Sequence, residues 1–169
     1  MKKLCLLAGL LYYISGSAFA QITGSIRIED PEVEVSESGY EPYVSLSFPG
    51  SQPMAEIGCP QLPYVTRSYV IPVDARVTGV QVVHLSKRLF PGYYRIVPAQ
   101  PPVPTDNVET SSDFQINDSL YASSGGYPGE RVRILYDGYD QGYHIVTVGI
   151  YPVEYRPASR EVLQKACRR

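Results

Sequence analysis

The sequence predicts an all-β domain, a mostly antiparallel sandwich or partly open barrel of roughly seven to nine short strands. Apolar residues alternate with polar ones at period two in several short runs, Val44, Leu46 and Phe48 among them. No i, i+3, i+4, i+7 pattern is sustained beyond residue 20, apart from a last helical turn at Arg160 to Ala166. Glycines and prolines such as Pro72, Pro91-Gly92, Gly138 and Gly142 mark the turns between these runs.

The chain opens with Lys2 and Lys3, an apolar run from Leu4 to Ile14, and Ala18-Phe19-Ala20. This is the pattern of a secretory signal peptide over residues 1–20, cleaved between Ala20 and Gln21, so the chain is expected to be exported to a periplasm, a cell surface or the medium. No second apolar run of about 20 residues follows, and no membrane span is expected after signal removal. Residues 21–169, 149 in all, suffice for one domain. Losing Lys2 and Lys3 takes the net charge from −2 to −4, without a basic stripe, which excludes nucleic acid as a partner. Cys59 and Cys167 lie 108 positions apart and are read as unpaired thiols. No C-x-x-C or H-x-x-x-H spacing is present, so neither metal nor cofactor is expected.

Taken in order, Ile22, Ile26 and Ile28 give a first short strand, Glu29 to Glu37 a solvated acidic turn, and Val44 to Phe48 a clearer strand. Pro60 and Pro63 bracket Leu62; each lacks an amide donor, which predicts an extended, unladdered entry. Val65 to Val70 is β-branched and aromatic, Ile71 to Ala75 turns, and Val77 to Leu85 runs extended with Val77, Val83 and Leu85 on one face. Pro91-Gly92 marks a turn before a strand from Tyr93 to Val97. Pro98 to Ser112, with four prolines, reads as an exposed polyproline-like loop. Asn117-Asp118-Ser119 matches a glycosylation acceptor pattern too common to carry weight.

The strongest hairpin comes late. Val132, Ile134 and Tyr136 alternate along Arg131 to Tyr136, Asp137 to Gly142 forms the loop, and Tyr143 to Val153 returns. His144, Val146, Val148 and Ile150 share one face and Tyr143, Ile145, Thr147 and Tyr151 the other, which makes the return strand central in its sheet. Asp137 and Asp140 match no complete calcium loop and are read as turn formers. Valines and isoleucines are expected in the core, tyrosines at the periphery.

Four pieces resemble, in order, the propeptide of gingipain-type cysteine peptidases. They are Gly58 to Ala75 (G-C-P-Q-L-P, then V-I-P-V-D-A), Arg95 to Pro102, Tyr127 to Glu130, and Gly149 to Tyr155, spanning roughly Gly58 to Pro157. The resemblance implies a domain that assists folding of a following peptidase and holds it inactive during export. Its partners would be a cognate cysteine peptidase domain, in cis or in trans, and the export machinery. In Arg-specific members an Arg-Gly in the hairpin loop plugs the primary specificity pocket; here that place holds Gln141-Gly142, which cannot make the charged bidentate contact of a guanidinium. Either the cognate peptidase is not Arg-specific or the plug lies elsewhere in the chain; the tip from Asp137 to Gly142 is expected to enter the cleft, with Gln141 as the contacting side chain and Asp140 and Gly142 beside it.

Catalysis by the chain itself would need Cys59 or Cys167 beside His84 or His144. Each histidine lies in a β pattern, and neither cysteine follows a glycine-rich loop or opens a helix, so no enzyme is expected. In the resembled family a peptidase domain follows; residues 21–169 are therefore read as a propeptide-like domain truncated at its C-terminus, either a precursor fragment or a stand-alone protein. The competing reading is an extracellular β module for adhesion or structural protein binding.

Overall fold

The computed structural model describes residues 21–24, 31–36, 42–82, 86–102 and 113–166. Ala20, His84 and Cys167 lie outside them. Among the described residues, β1 (Glu32–Ser36) pairs with β2 (Tyr43–Ser47). A second sheet contains β3 (Gln52–Pro53), β4 (Pro63–Ile71), β6 (Val132–Asp140) and β7 (Tyr143–Ile150) in the order β3-β4-β7-β6. A third holds β5 (Ser86–Phe90), β8 (Val153–Arg156) and β9 (Glu161–Ala166) in the order β5-β9-β8. All these pairings are antiparallel and no sheet closes into a barrel. One short helix, α1 (Asp118–Tyr121), is capped by Asn117, whose Oδ1 accepts from the Leu120 amide at 3.1 Å.

The all-β, antiparallel expectation holds, and several elements are corrected. Glu32 to Ser36, expected in an acidic turn, is strand β1: the glutamates and the valines at 32–35 are all exposed, and what makes the element is its backbone pairing with β2 from Glu32↔Ser47 to Ser36↔Tyr43. Residues 21–24 carry no strand, and Ile26 and Ile28 lie outside the described residues. The proline entry is laddered after all. Pro60 bridges Pro98, the Gln61 amide donates to the Val97 carbonyl at 2.8 Å, and Pro63 opens β4 opposite Pro53, because the donors the prolines lack are supplied by their neighbours.

Residues 77–82 form no strand despite their β-branched content, and 83–85 lie outside the described residues. Tyr93 to Val97 is no regular strand either. It meets β2 through the Val44 amide on the Arg95 carbonyl (2.8 Å) and the Val97 amide on the Val44 carbonyl (3.0 Å), a parallel bridge at Ile96. Pro98 and Ala99, expected in an exposed loop, are buried by their bridges to Pro60 and Ile57; residues 103–112 lie outside the described ones. The expected helical turn at Arg160 to Ala166 is strand β9. Burial of Val162 and Gln164 at spacing two, with β5 and β8 on either side, overrides a helical reading.

The core lies where the three sheets meet. Val44 and Leu46 of β2, Phe48, Leu62, Val65 of β4, Ile96, Val153 and Tyr155 of β8 and Val162 of β9 pack into one cluster. Leu62 is 1% exposed, Ile96 and Val162 0%, and burying each such side chain is worth about 1.5–3 kcal/mol. Tyrosines are not confined to the periphery. Tyr43, Tyr151 and Tyr155 are buried, and Tyr155 meets its polar requirement by donating its hydroxyl to the Tyr94 carbonyl at 2.9 Å.

Candidate functional site: the β6–β7 hairpin

Strands β6 and β7, with the second half of β4, extend away from that core. β7 is central, with seven register pairs to β4 from Val65↔Ile150 to Ile71↔His144, as its two-faced apolar pattern predicts. It ends at Ile150, and Pro152 separates it from β8, so the return strand does not continue to Val153. At the root, Arg131 Nη2 contacts Glu154 Oε2 of β8 at 3.1 Å, and the Tyr151 amide donates to the Arg131 carbonyl at 2.9 Å. Burial pushes the Arg131 guanidinium below its ordinary value.

The predicted six-residue loop is a two-residue turn. β6 runs on to Asp140, which pairs with Tyr143, and only Gln141 and Gly142 lie between. Their φ values of 47° and 86° are positive at both central positions, the I′ pattern whose twist matches flanking strands. The loop appears longer in sequence because a bulge at Leu135 resets the alternation: Ile134 faces Val148, but Tyr136 faces Thr147 on the opposite side. Gly149 seats the displaced side chain, since a Cβ there would lie 2.9 Å from Leu135 Cδ1.

Side chains brace this tip on both faces. Tyr136 crosses Gly138, where a Cβ would come within 2.7 Å of its hydroxyl. On the other face Tyr139 stacks on His144 with ring centroids 4.5 Å apart, and its hydroxyl donates to the Val73 carbonyl in the β4 turn at 2.6 Å. His144, 5% exposed, places Nε2 2.6 Å from Asp137 Oδ1. Asp137 is therefore a strand residue paired across the sheet, not a turn former. On the opposite side of β7, Ser68 and Thr147 hydroxyls meet at 2.8 Å. Gln141, Gly142 and Asp140 stand exposed at the end of this braced ribbon, flanked by the exposed rings of Tyr139 and Tyr143.

Of the candidate cysteine–histidine pairings, His84 and Cys167 lie outside the described residues, and no histidine is among the groups that act on the Cys59 thiol. This thiol is buried, and burial together with Glu56 pushes it above its ordinary value; Glu56, Tyr127 and Asn117 surround it. A raised pKa keeps the thiol neutral and weakly nucleophilic. Among the described residues no cluster of three metal-ligating side chains occurs, and no helix is long and apolar enough to cross a membrane. The tip residues were legible from the Gln-Gly pair. The Tyr139, Asp137 and His144 braces were not, because the bulge at Leu135 breaks the period-two alternation just before them, so that Asp137 and Tyr139 read as loop residues.

The described residues form a three-sheet antiparallel domain that presents one braced, exposed hairpin. The Propeptide_C25 family model matches residues 25–166, and the chain belongs to that family: it is a gingipain-type propeptide domain. Lys-gingipain HG66 and Lys-gingipain W83 of Porphyromonas gingivalis are each 26% identical over 145 residues, covering 83% of this chain; the chain spans only 8% of their length. A structure bearing on zymogenic latency of gingipain K from Porphyromonas gingivalis is similar at a TM-score of 0.71 and 25% identity, over 85% of this chain and 80% of that one. A complex of the pro- and mature domains of RgpB from the same organism is similar in fold, at a TM-score of 0.72 and 16% identity, over 84% of this chain and 73% of that one.

Proposed function

We propose that this chain is an exported inhibitory propeptide that keeps a gingipain-type cysteine peptidase latent by inserting the β6–β7 tip, with Gln141 as the contacting side chain, and that also assists folding of that peptidase. The observation that carries the reading is the braced turn: Gln141 is held in a positive-φ conformation at the end of a ribbon fixed through Tyr139 and His144. A loop that is ordered before binding loses little entropy on docking. When pro and mature parts share one chain, the effective concentration is about millimolar, so even a modest intrinsic affinity keeps a cleft filled. Glutamine supplies neutral hydrogen bonds only, which fits a target whose pocket does not demand a cation. Export rests on the leader over residues 1–20 and cleavage between Ala20 and Gln21. The chain contributes binding and no chemistry of its own.

The test is titration of residues 21–169 against Lys-specific and Arg-specific gingipains, with Q141A beside the wild type. Inhibition of at least one peptidase, weakened about tenfold by Q141A, is the expected result, equivalent to about 1.4 kcal/mol. Inhibition unchanged by Q141A removes Gln141 as the contact, and absence of inhibition removes the reading. Refolding of the peptidase with and without the domain tests the folding role through the yield of active enzyme.

A further inference from the structure

We propose that the cavity between β1 and the β8–β9 turn captures the C-terminal end of a peptide, with an apolar last side chain against Val33 and Val35 and the free carboxylate at Arg95 and Arg160. The site shares no residue with the hairpin tip and does not depend on the tip's role. It measures about 390 Å³, at the small end of the range for ligand pockets, and is open to solvent. Val33 and Val35 of β1, with Pro42 and Val44, make its aliphatic wall, and Tyr93 and Tyr94 add aromatic surface.

The walls are set before a ligand arrives. The Tyr94 hydroxyl donates to the Pro91 carbonyl at 2.5 Å, and the Tyr94 amide donates to the Arg160 carbonyl at 2.8 Å. The Val44 amide holds the Arg95 carbonyl at 2.8 Å, and the Arg95 guanidinium lies 4.8 Å above the Tyr43 ring. Burial raises the Tyr155 phenol, and Arg160 and Arg95 both act to lower it, so both cations lie near one point. Arg160 gives the stronger sign. It closes the turn between β8 and β9 with φ at 55°, its amide donating to the Pro157 carbonyl at 3.1 Å. Glycine and asparagine take this left-handed conformation readily; an arginine is held there at a cost, and such outliers gather at ligand clamps. The turn favours glycine, and what stands there instead is a guanidinium at the rim of the cavity.

The lining selects the ligand. Among the described residues no acidic side chain lines the cavity, because Glu32 and Glu34 alternate onto the other face of β1. Guanidiniums match a carboxylate, which their planar fork holds bidentately. The apolar wall beside them favours an anion carried on aliphatic or aromatic carbon over a bare one. Tyr93, 80% exposed, and Val35, 63% exposed, extend the apolar surface beyond the cavity. A small free acid would leave both in water. A peptide running out of the cavity covers them while its carboxylate stays at the arginines.

The experiment is an amide NMR titration of the full chain with three probes: acetyl-Ala-Ala-Phe with a free carboxylate, the same tripeptide as its C-terminal amide, and phenylpropionate. The free tripeptide should shift the amides of Val33 to Val35, Tyr93 to Arg95 and Arg160, and bind about tenfold more tightly than either other probe. R160G should melt at or above the wild-type temperature, because glycine relieves the turn, yet lose about tenfold in affinity. Y93A, at an exposed ring, should melt with the wild type and weaken the tripeptide toward the level of phenylpropionate. Equal binding of the amide overturns the carboxylate site, and equal binding of phenylpropionate overturns the peptide. No shift, shifts elsewhere, or unchanged affinity in R160G overturns the cavity as a site. An R160G chain that melts lower overturns the argument from the turn.

Discussion

Replacing Gln141 by asparagine should stabilise the domain while weakening it as an inhibitor. At φ 47° Gln141 occupies the left-handed region, which costs an ordinary side chain roughly 1–2 kcal/mol and which asparagine tolerates through local hydrogen bonding. Asn-Gly is a preferred I′ pair, and recovering about half the cost gives a gain of about 0.5–1 kcal/mol. For a domain of this size that is a rise of about 1–4 °C in Tm. Thermal melts and urea titrations with an unchanged m value measure it. A midpoint that stays put or falls would refute the argument that the turn is strained at Gln141. The same substitution shortens the side chain by one methylene and withdraws the amide from any pocket it fills, so inhibition should weaken as stability rises. A variant better at both would show that position 141 does not touch the target.

Three other perturbations probe the scaffold. L62A removes a side chain that is 1% exposed in the core and should cost about 2–5 kcal/mol in urea unfolding; a loss below 1 kcal/mol would mean the site collapses freely. D137A leaves His144 Nε2 buried without its 2.6 Å partner and should cost about 1–3 kcal/mol, with D137N recovering much of it; equal losses in both would point to backbone disruption instead. Stability should fall in alkali. Burial is the leading cause that raises Tyr121, Tyr127, Tyr151 and Tyr155 above the ordinary phenol value. A raised folded pKa means this contribution is fully present below about pH 10, where unfolded tyrosine begins to ionise, and is lost as pH climbs toward the folded values. Urea midpoints should be flat to about pH 9 and drop above about pH 10, with a shallower drop in Y127F; a flat alkaline arm would contradict the burial of these phenols.

Fold class and the central hairpin strand were readable from residue order because period-two alternation survives wherever one sheet face is buried. β2 was found on that signal, β4 on its β-branched and aromatic content, and β7 on the apolar residues along both of its faces. Elements were lost where another force decided. β1 was hidden by its glutamates, which satisfy a strand edge as readily as a turn. β9 was hidden because Arg160 to Ala166 is locally compatible with a helical turn, and only the flanking β5 and β8 make it a strand. At the hairpin, Gln141-Gly142 was identifiable while the turn was judged four residues too long, since one bulged residue at Leu135 shifts every later side chain to the opposite face. Prolines misled in the other direction. Pro60, Pro63, Pro98 and Pro152 look like exterior punctuation but are fully buried, filling the core with rings that need no donor.

The middle position of β9 in its sheet sets the order in which the domain can be finished. A ribosome delivers β5 about seventy residues before Glu161 to Ala166, and until that strand arrives β5 and β8 have no common partner and the Val162 side of the core is open. The β5-β9-β8 sheet of this domain therefore cannot form until Glu161 to Ala166 has been made. The pairing of β9 with β8 is local, whereas its pairing with β5 closes a long loop, so the β5 side of this sheet is the part whose formation carries the larger loop-closure cost.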